Sequence, residues 1–432
     1  PTPASDRPSG GASGVLRRLE TFLVGAVLLV GAFATGADFL FFLVYLVLLV
    51  VGGAYLISRF GLADLEAGYA LDRTHGHVGE QLRATYTLRN VSRLPKLWLE
   101  SSSPSTLPVP LPGRALSLGP RAERSWAARV PLVARGHYRV DPLLIRTGDP
   151  LGLFEAAATV GTATAVTVYP RVEPLPNWRL PPSSLEGNRS SPERTLQATP
   201  LVTSIRPYLP GDAYNRIHWK STARQSELQV KEFDLEQTAD LWLFLDLQGS
   251  VQTGHGDEST LEAGVRVAAA LASHALVDNR AVGLTVTAHR TSVVPADRGS
   301  RQHLKIMSLL AAVAADGTEP LVEGLVQGLA RLRRGMTAIV ITPSLERDWV
   351  RPLASLRGRG IRAAACLVDA AAYAAYRGPG VPAAPVSGES REARALQHAL
   401  AEHDVRVFHV TPGRPLGAIF VDARGAGAAL VR

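Results

Sequence analysis

What this chain has little of narrows its chemistry first. It has one cysteine, Cys366, so no intrachain disulfide can form, and this thiol sits in the apolar run IRAAACLVD as a small core residue. That usage suits a reducing compartment. Lysine is nearly missing: of 46 basic residues only Lys96, Lys220, Lys231 and Lys305 are not arginine. The net charge of +8 is not gathered into a basic stripe with interleaved aromatics, because the arginines are scattered among Asp and Glu along the whole chain. No nucleic-acid partner is expected from that pattern. No Walker phosphate loop, Gly-x-Ser-x-Gly elbow or Gly-x-Gly-x-x-Gly fingerprint occurs. His75 and His77 have no third and fourth zinc ligand nearby, and His398 and His403 miss helical i, i+4 spacing. No period of about 20–50 residues marks a repeat protein.

What is present begins with a long apolar run. From Thr21 to Ile57 the only charge is Asp38. As one helix this run would rise to about 55 Å, too long for a hydrocarbon core of about 30 Å, whereas two crossings of about 20 residues fit. The break falls at Thr35, Gly36, Ala37 and Asp38. Arg17 and Arg18 precede the first span and Arg59 follows the second, while the turn carries no Lys or Arg, so both ends are expected in the cytoplasm. The expectation is a multi-pass protein of the cytoplasmic membrane, anchored through residues 21–57, with its soluble domains in the cytoplasm. A cleavable signal peptide ending at Ala32-x-Ala34 is the competing reading. The span from Phe39 to Ile57 would then still return the chain to the same side.

At 432 residues the chain exceeds what one hydrophobic core usually holds, so it is expected to be multidomain. From about Ala67 to Pro170, short alternating runs such as 82–90 and 165–170 are separated by Pro, Gly and Ser clusters, the punctuation of a β-sandwich. Residues 100–123, rich in Ser and Pro, read as loops, and 171–200 read as a solvated linker. Beyond 240 the period changes. Continuous apolar runs at 241–247, 281–288, 337–342, 361–368 and 405–410 suit strands buried on both faces, with helical stretches near 260–278, 300–315, 320–334, 347–358 and 390–403 between them. Such alternation predicts a doubly wound α/β domain with a parallel sheet. The resulting layout is a tail (1–20), a transmembrane helical hairpin (21–60), a β-sandwich (61–170), a linker (171–200), a polar segment of its own kind (201–240) and the α/β domain (241–432).

That segment reads RPYLPGDAYNRIHWKSTAR from Arg206 to Arg224 and continues into ELQVKEFDLE. Asp212 follows a Pro-Gly turn and is expected to N-cap a helix beginning near Ala213. Arg216, Lys220 and Arg224 would then share one helical face at i, i+4 and i+8. With Trp219 as a flat neighbour, this stripe could grip an acidic partner surface, lipid headgroups or an anionic ligand. Alternatively it pairs internally with Glu227, Glu232, Asp234 and Glu236. Two of the four lysines, Lys220 and Lys231, fall in this segment, where a compact ammonium is called for.

Arg206, Tyr208, Pro210, Gly211, Asp212, Arg216, Ile217, Trp219, Lys220, Ala223, Arg224, Val230, Lys231 and Phe233 together resemble the hallmark of the "domain of unknown function 58" (DUF 58) family. The RGHYRV and DPLGLF strings upstream resemble the juxtamembrane region of the same family. The resemblance implies binding roles for Arg206, Tyr208, Asp212, Arg216, Trp219, Lys220, Arg224 and Lys231. It also implies a partnership with an AAA+ ATPase of the MoxR type, in assembling or maturing envelope or metalloprotein complexes.

The doubly wound half is similar to a von Willebrand factor type A domain, whose first strand ends in Asp-x-Ser-x-Ser and helps to bind a divalent ion. Asp246, Gln248 and Ser250 stand in that place, and Gly317 with Thr318 resembles the Thr-bearing loop of the same site. Where the family has a further Asp, this chain has Pro343 and Ser344. Magnesium needs near-octahedral oxygen ligation, so the missing carboxylate weakens the site unless water, Asp316 or Glu319 compensates. Alternatively Asp246 only caps the segment that follows it. The expected function is therefore a membrane-anchored interaction or scaffold protein without catalytic residues and without a required cofactor. The alternative is a metal-dependent enzyme, with Asp246, Gln248, Ser250 and Thr318 at magnesium and the basic face holding an anionic substrate.

Overall fold

In the computed structural model the described residues are 10–176, 178, 202–209, 212, 214, 217–225, 227–233, 240–289, 291–376, 378 and 390–420. The chain divides into two compact units, Pro1–Arg171 and Val172–Arg432.

The first unit opens with two apolar helices, α1 (Gly10–Thr35) and α2 (Asp38–Gly61). Gly36 turns the chain between them at φ +67, a conformation that costs a residue without Cβ little. Asp38 lies in the first turn of α2 and Arg59 in its last, each at the end where the helix dipole favours its charge. Gly25 of α1 faces Val47, Gly31 faces Leu40, and the Phe33 and Phe41 rings meet edge to face at 5.4 Å. The helices therefore run back along each other, with most of their large apolar side chains exposed. Among the described residues two helices could cross a membrane by length and composition, α2 and the helix Thr260–Val277. The second of these is mostly buried within the other unit, as a core helix is.

The rest of this unit is β-rich, as its alternating runs predict. Its strands are β1 (Leu65–Leu71), β2 (His75–His77), β3 (Gln81–Asn90), β4 (Lys96–Ser102), β5 (Arg114–Leu118), β6 (Glu123–Pro131), β7 (Gly136–Val140), β8 (Leu143–Gly148), β9 (Glu155–Val160) and β10 (Thr164–Tyr169). They form three sheets, ordered β1-β3-β6, β2-β10-β7 and β5-β4-β8-β9. In β3 the side chains of Leu82, Ala84, Tyr86 and Leu88 are buried and those between them face outward, the two-residue period of a half-buried strand. They meet Leu99, Val130, Ile145, Val166 and Val168 from the other strands in one core. The Ser- and Pro-rich stretch 100–123 is not all loop: β5 lies within it and pairs with β4.

The second unit carries the antiparallel pair β11 (Val202–Pro207) and β12 (Gln229–Phe233), with the short helix α3 (Trp219–Gln225) between them. There follow β13 (Leu241–Asp246), the small hairpin β14 (Gly254–His255) and β15 (Glu258–Ser259), α4 (Thr260–Val277), β16 (Val282–Thr287), β17 (Ser292–Asp297), α5 (Gly299–Ala312), α6 (Leu321–Leu329), β18 (Thr337–Thr342), α7 (Val350–Gly358), β19 (Arg362–Val368), α8 (Ala370–Ala375), α9 (Arg391–Glu402), β20 (Arg406–Val410) and α10 (Leu416–Ile419). The main sheet has the order β17-β16-β13-β18-β19-β20, parallel except for β17. All six residues of β13, β16 and β18 are buried because both faces are covered. Phe244 packs under Gly328 of α6, and Leu245 with Ile341 under Gly264 of α4 on the opposite face. The edge strand β17 was not legible as a strand. It returns from β16 through a turn too short for a crossover helix, so it can only pair antiparallel.

The expected linker 171–200 is in part a packed segment. Leu175 and Trp178 are buried in the second unit, the Trp178 ring lying 5.4 Å from that of His274 and 6.0 Å from that of Phe420. Gln302 of α5 secures the antiparallel edge, its buried side-chain amide donating to the carbonyls of Val282 (2.6 Å) and Pro295 (2.8 Å). Gln302→Ala is expected to cost about 1–3 kcal/mol, since two carbonyls lose a buried donor. Hydrogen exchange of the detergent-solubilised chain checks this, with protection lost first in β16 and β17.

Candidate functional site

Strand order reverses between β13 and β18, and the crevice beyond their carboxyl ends is where open α/β sheets hold ligands. Three neighbouring strands end there on polar side chains: Asp246 on β13, Thr287 opposite it on β16, and Thr342 on β18. Asp246 is 2 % exposed. Its Oδ2 accepts the Thr342 hydroxyl at 2.6 Å and its Oδ1 accepts the Gln248 amide at 3.0 Å, while its backbone carbonyl takes the Gln252 side chain at 3.0 Å. Burial lifts the Asp246 carboxyl above the ordinary carboxylate range; the bonds from Thr342, Gln248 and Thr287 pull it back, and the nearby Glu346 charge adds to the rise.

The loop bearing Gly317 closes one side of this crevice. Gly317 donates to Leu247 O at 3.1 Å and accepts from Gly249 at 2.9 Å, so that Gln248 bridges to it as a strand would. A Cβ on Gly317 would fall 2.7 Å from Leu247 O and 2.9 Å from Thr287 O, an approach only glycine permits. The structure thus brings the Asp246, Gln248 and Ser250 segment to the 316–318 loop. Thr318 is exposed there, Ser250 accepts from the Gln248 side-chain amide at 2.8 Å, and Glu319 is turned to the Thr291 hydroxyl at 2.8 Å. Ser344 uses its amide on Thr342 Oγ1 at 2.9 Å and its hydroxyl oxygen on the Glu346 amide at 3.2 Å.

This donor set does not fit a hard divalent ion. Both Asp246 oxygens already accept protein hydrogen bonds, Glu319 is held by Thr291, and no cluster of three acidic, His or Cys side chains that could hold an ion occurs among the described residues. Sequence reasoning missed Thr342. The signal was there in retrospect, since VGLTVT and TAIVIT both close an apolar strand with threonine beside the strand that closes with Asp246.

The hallmark segment is described in part. Asp212 forms a two-pronged ion pair with Arg206, with both N–O distances 2.8 Å, and Oδ2 also accepts the Leu209 amide at 2.9 Å. Its carboxylate thereby closes the turn after β11; Ala213, where a capped helix is expected to begin, lies outside the described residues, and the helix α3 begins at Trp219. Lys220 and Arg224 share an exposed face of α3. Arg216, the third member of the expected stripe, lies outside the described residues. Among the described residues no ion pair joins them to Glu227, and the Glu232, Asp234 and Glu236 side chains lie outside that set. Lys231 is opposite Ile205 in the β11–β12 pair. Ile217 bridges to Val230, and both are buried, pinning the start of α3 to the pair. Around this small core Leu209, Tyr214 and Trp219 are exposed, and the Tyr208 and Tyr214 rings stack at 6.0 Å.

The raised Asp246 pKa has a sign that can be read. A carboxyl held higher in the folded chain contributes stability that is fully present below its unfolded value, about 4, and is lost as pH rises through the folded value. Melting temperatures measured from pH 4 upward should fall across that window in the parent chain, and Asp246→Asn should lack this step.

A family model described as "Protein of unknown function DUF58" matches residues 204–374, a range that takes in the hallmark segment and the crevice. The uncharacterized protein YeaD of Bacillus subtilis is 26% identical over 349 residues, covering 78% of this chain and 84% of that protein. An uncharacterized protein of Mycobacterium tuberculosis is 26% identical over 159 residues, covering 36% of this chain and 50% of its own length. Among solved structures, a CARDB domain from Pyrococcus furiosus aligns at 14% identity and TM-score 0.19, over 24% of this chain and 92% of that one. Proximal thread matrix protein 1 from the mussel byssus aligns at 12% identity and TM-score 0.25, over 30% and 38%. Neither score is high enough to argue a shared fold. In sequence, the chain is similar to the DUF58 family across residues 204–374.

Proposed function

We propose that this is a membrane-anchored interaction or scaffold protein whose soluble units work in the cytoplasm. In this reading α1 and α2 cross the cytoplasmic membrane as a hairpin, the β-rich unit is a sandwich-like spacer, and the α/β unit is of von Willebrand factor A type. The sheet order, with its one antiparallel edge strand, supports the last assignment. The length and apolar surface of α2, and the arginines that flank the helices but not their turn, support the first.

The observation that carries the function is the apolar cluster on the hallmark segment. Leu209, Tyr214 and Trp219 are 59%, 74% and 68% exposed, beside the Arg206–Asp212 pair and the Lys220 and Arg224 face. Large aromatic side chains left in water and rimmed by charge mark surfaces that bind protein, with Trp, Tyr and Arg as anchors. These anchors lie between the paired strands β11 and β12, Trp219 at the start of α3 where Ile217 is bridged to Val230. The resemblance to DUF 58 points to an AAA+ ATPase of the MoxR type as the partner, in complex assembly or maturation.

The test uses the full chain in detergent and a purified MoxR-type ATPase. Lys220→Glu with Arg224→Glu, and separately Tyr214→Ala with Trp219→Ala, should each weaken capture about tenfold or more. Melting temperatures should stay nearly unchanged, because exposed side chains contribute little to stability. Undiminished capture by both variants would contradict the docking face, and no capture by the parent chain would contradict the partner.

A further inference from the structure

The end of α2 is fastened to the β-rich unit by three separate contacts. The Lys96 ammonium donates to the carbonyl of Phe60 at 2.6 Å, placing a cation at the negative end of the helix. This side chain is buried, and burial lowers its pKa below the ordinary lysine value. The Tyr55 and Phe154 rings meet edge to face at 5.6 Å. A side chain on Gly61 would come within 2.7 Å of the Thr147 hydroxyl, so helix and sheet touch there backbone to side chain.

Apolar side chains collect around this junction on the outside. The pairing of β4 with β5 shifts between Lys96 and Leu99, an irregularity that breaks the alternation of the strand. Leu97 and Trp98 therefore both face outward, 64% and 61% exposed, where a regular strand would turn one of them in. Leu94 is exposed just before them, and Val91 is exposed with its amide on Asp64 O at 2.9 Å, three residues past the end of α2. On the other flank the Asp149 carboxylate accepts the amides of Leu151 (2.8 Å) and Phe154 (2.6 Å). That turn sends Phe154 onto Tyr55 and leaves Leu151 exposed.

We infer that Val91, Leu94, Leu97, Trp98 and Leu151 form a seating surface that enters the interfacial layer of the bilayer crossed by α2. The inference rests on the membrane reading above and adds a second, monotopic contact to it. Lipid is the occupant because the patch continues the exposed apolar surface of Tyr55, Leu56 and Phe60 on α2 itself, and the three contacts hold it at the depth where that helix leaves the hydrocarbon. Its composition fits that depth: a tryptophan, aliphatic side chains and the exposed Arg93, whose stem can lie on the apolar layer while its charge meets headgroup phosphates.

Site-directed fluorescence tests this on the full chain in vesicles of phosphatidylcholine and phosphatidylglycerol. Cys366 is buried, so an introduced cysteine is the accessible thiol. An environment-sensitive label is placed in turn at Leu97→Cys, at Leu49→Cys within α2, and at Gln81→Cys, the end of β3 remote from the helix junction. The label at 97 should lose at least half its emission to lipids with a nitroxide near the headgroup. The label at 49 should respond to a nitroxide deep in the chains, and that at 81 to neither. If 97 behaves like 81 while 49 is quenched, the seating surface is wrong and the membrane span stands. If 49 is unquenched by deep nitroxides, the span itself is wrong and the inference falls with it. A label at 97 that is shielded from water yet unquenched by lipid would mean that protein covers the patch, and would overturn the inference.

Discussion

Asp246 ends the strand at the centre of the six-stranded sheet, in a place water does not reach. A carboxylate there is costly unless donors are aimed at it, and their supply organises the whole functional edge of the α/β unit. Thr342 must stand at the end of the adjacent strand to give its hydroxyl, and that same oxygen then receives the Ser344 amide. Gln248 must turn back directly after Asp246, which brings its neighbours against Gly317. The loops after β13 and β18 are thus tied through one side chain. In this crevice both Asp246 carboxylate oxygens are engaged by the protein's own hydroxyl and amide groups.

Much of this architecture was legible in the sequence because burial on both faces leaves continuous apolar runs. The strands 241–246, 282–287, 337–342, 362–368 and 406–410 and the helices between them follow from that rule alone. What escaped is non-local. Strand β17 is a partly exposed edge without an apolar run, and β5 hides among prolines and serines because only its pairing with β4 defines it. Trp178 was assigned to a linker by its proline-rich surroundings, although its ring packs on residues about 100 and 240 positions away. No local rule shows that Arg206 claims both oxygens of Asp212.

In the first unit the corresponding tie is Lys96. Its ammonium joins a β-strand to the last turn of an apolar helix, and one of only four lysines in an arginine-rich chain is spent there. A flexible stem with a compact charge can reach a single carbonyl inside a packed junction. In the proposed arrangement this junction fixes the β-rich unit to its anchor. The exposed Tyr214 and Trp219 belong to the other unit, in the segment between β11 and β12. Anchoring and docking are then carried by different folded units of one chain.

The central claim is that the Asp246 crevice is closed by hydrogen bonds from the protein and is not a cation site. Manganese titration followed by electron paramagnetic resonance tests it on the full chain in detergent. The account predicts that the spectrum of free manganese is diminished no more by the parent chain than by Asp246→Ala. A loss of free-ion signal with the parent chain that disappears in Asp246→Ala would contradict it.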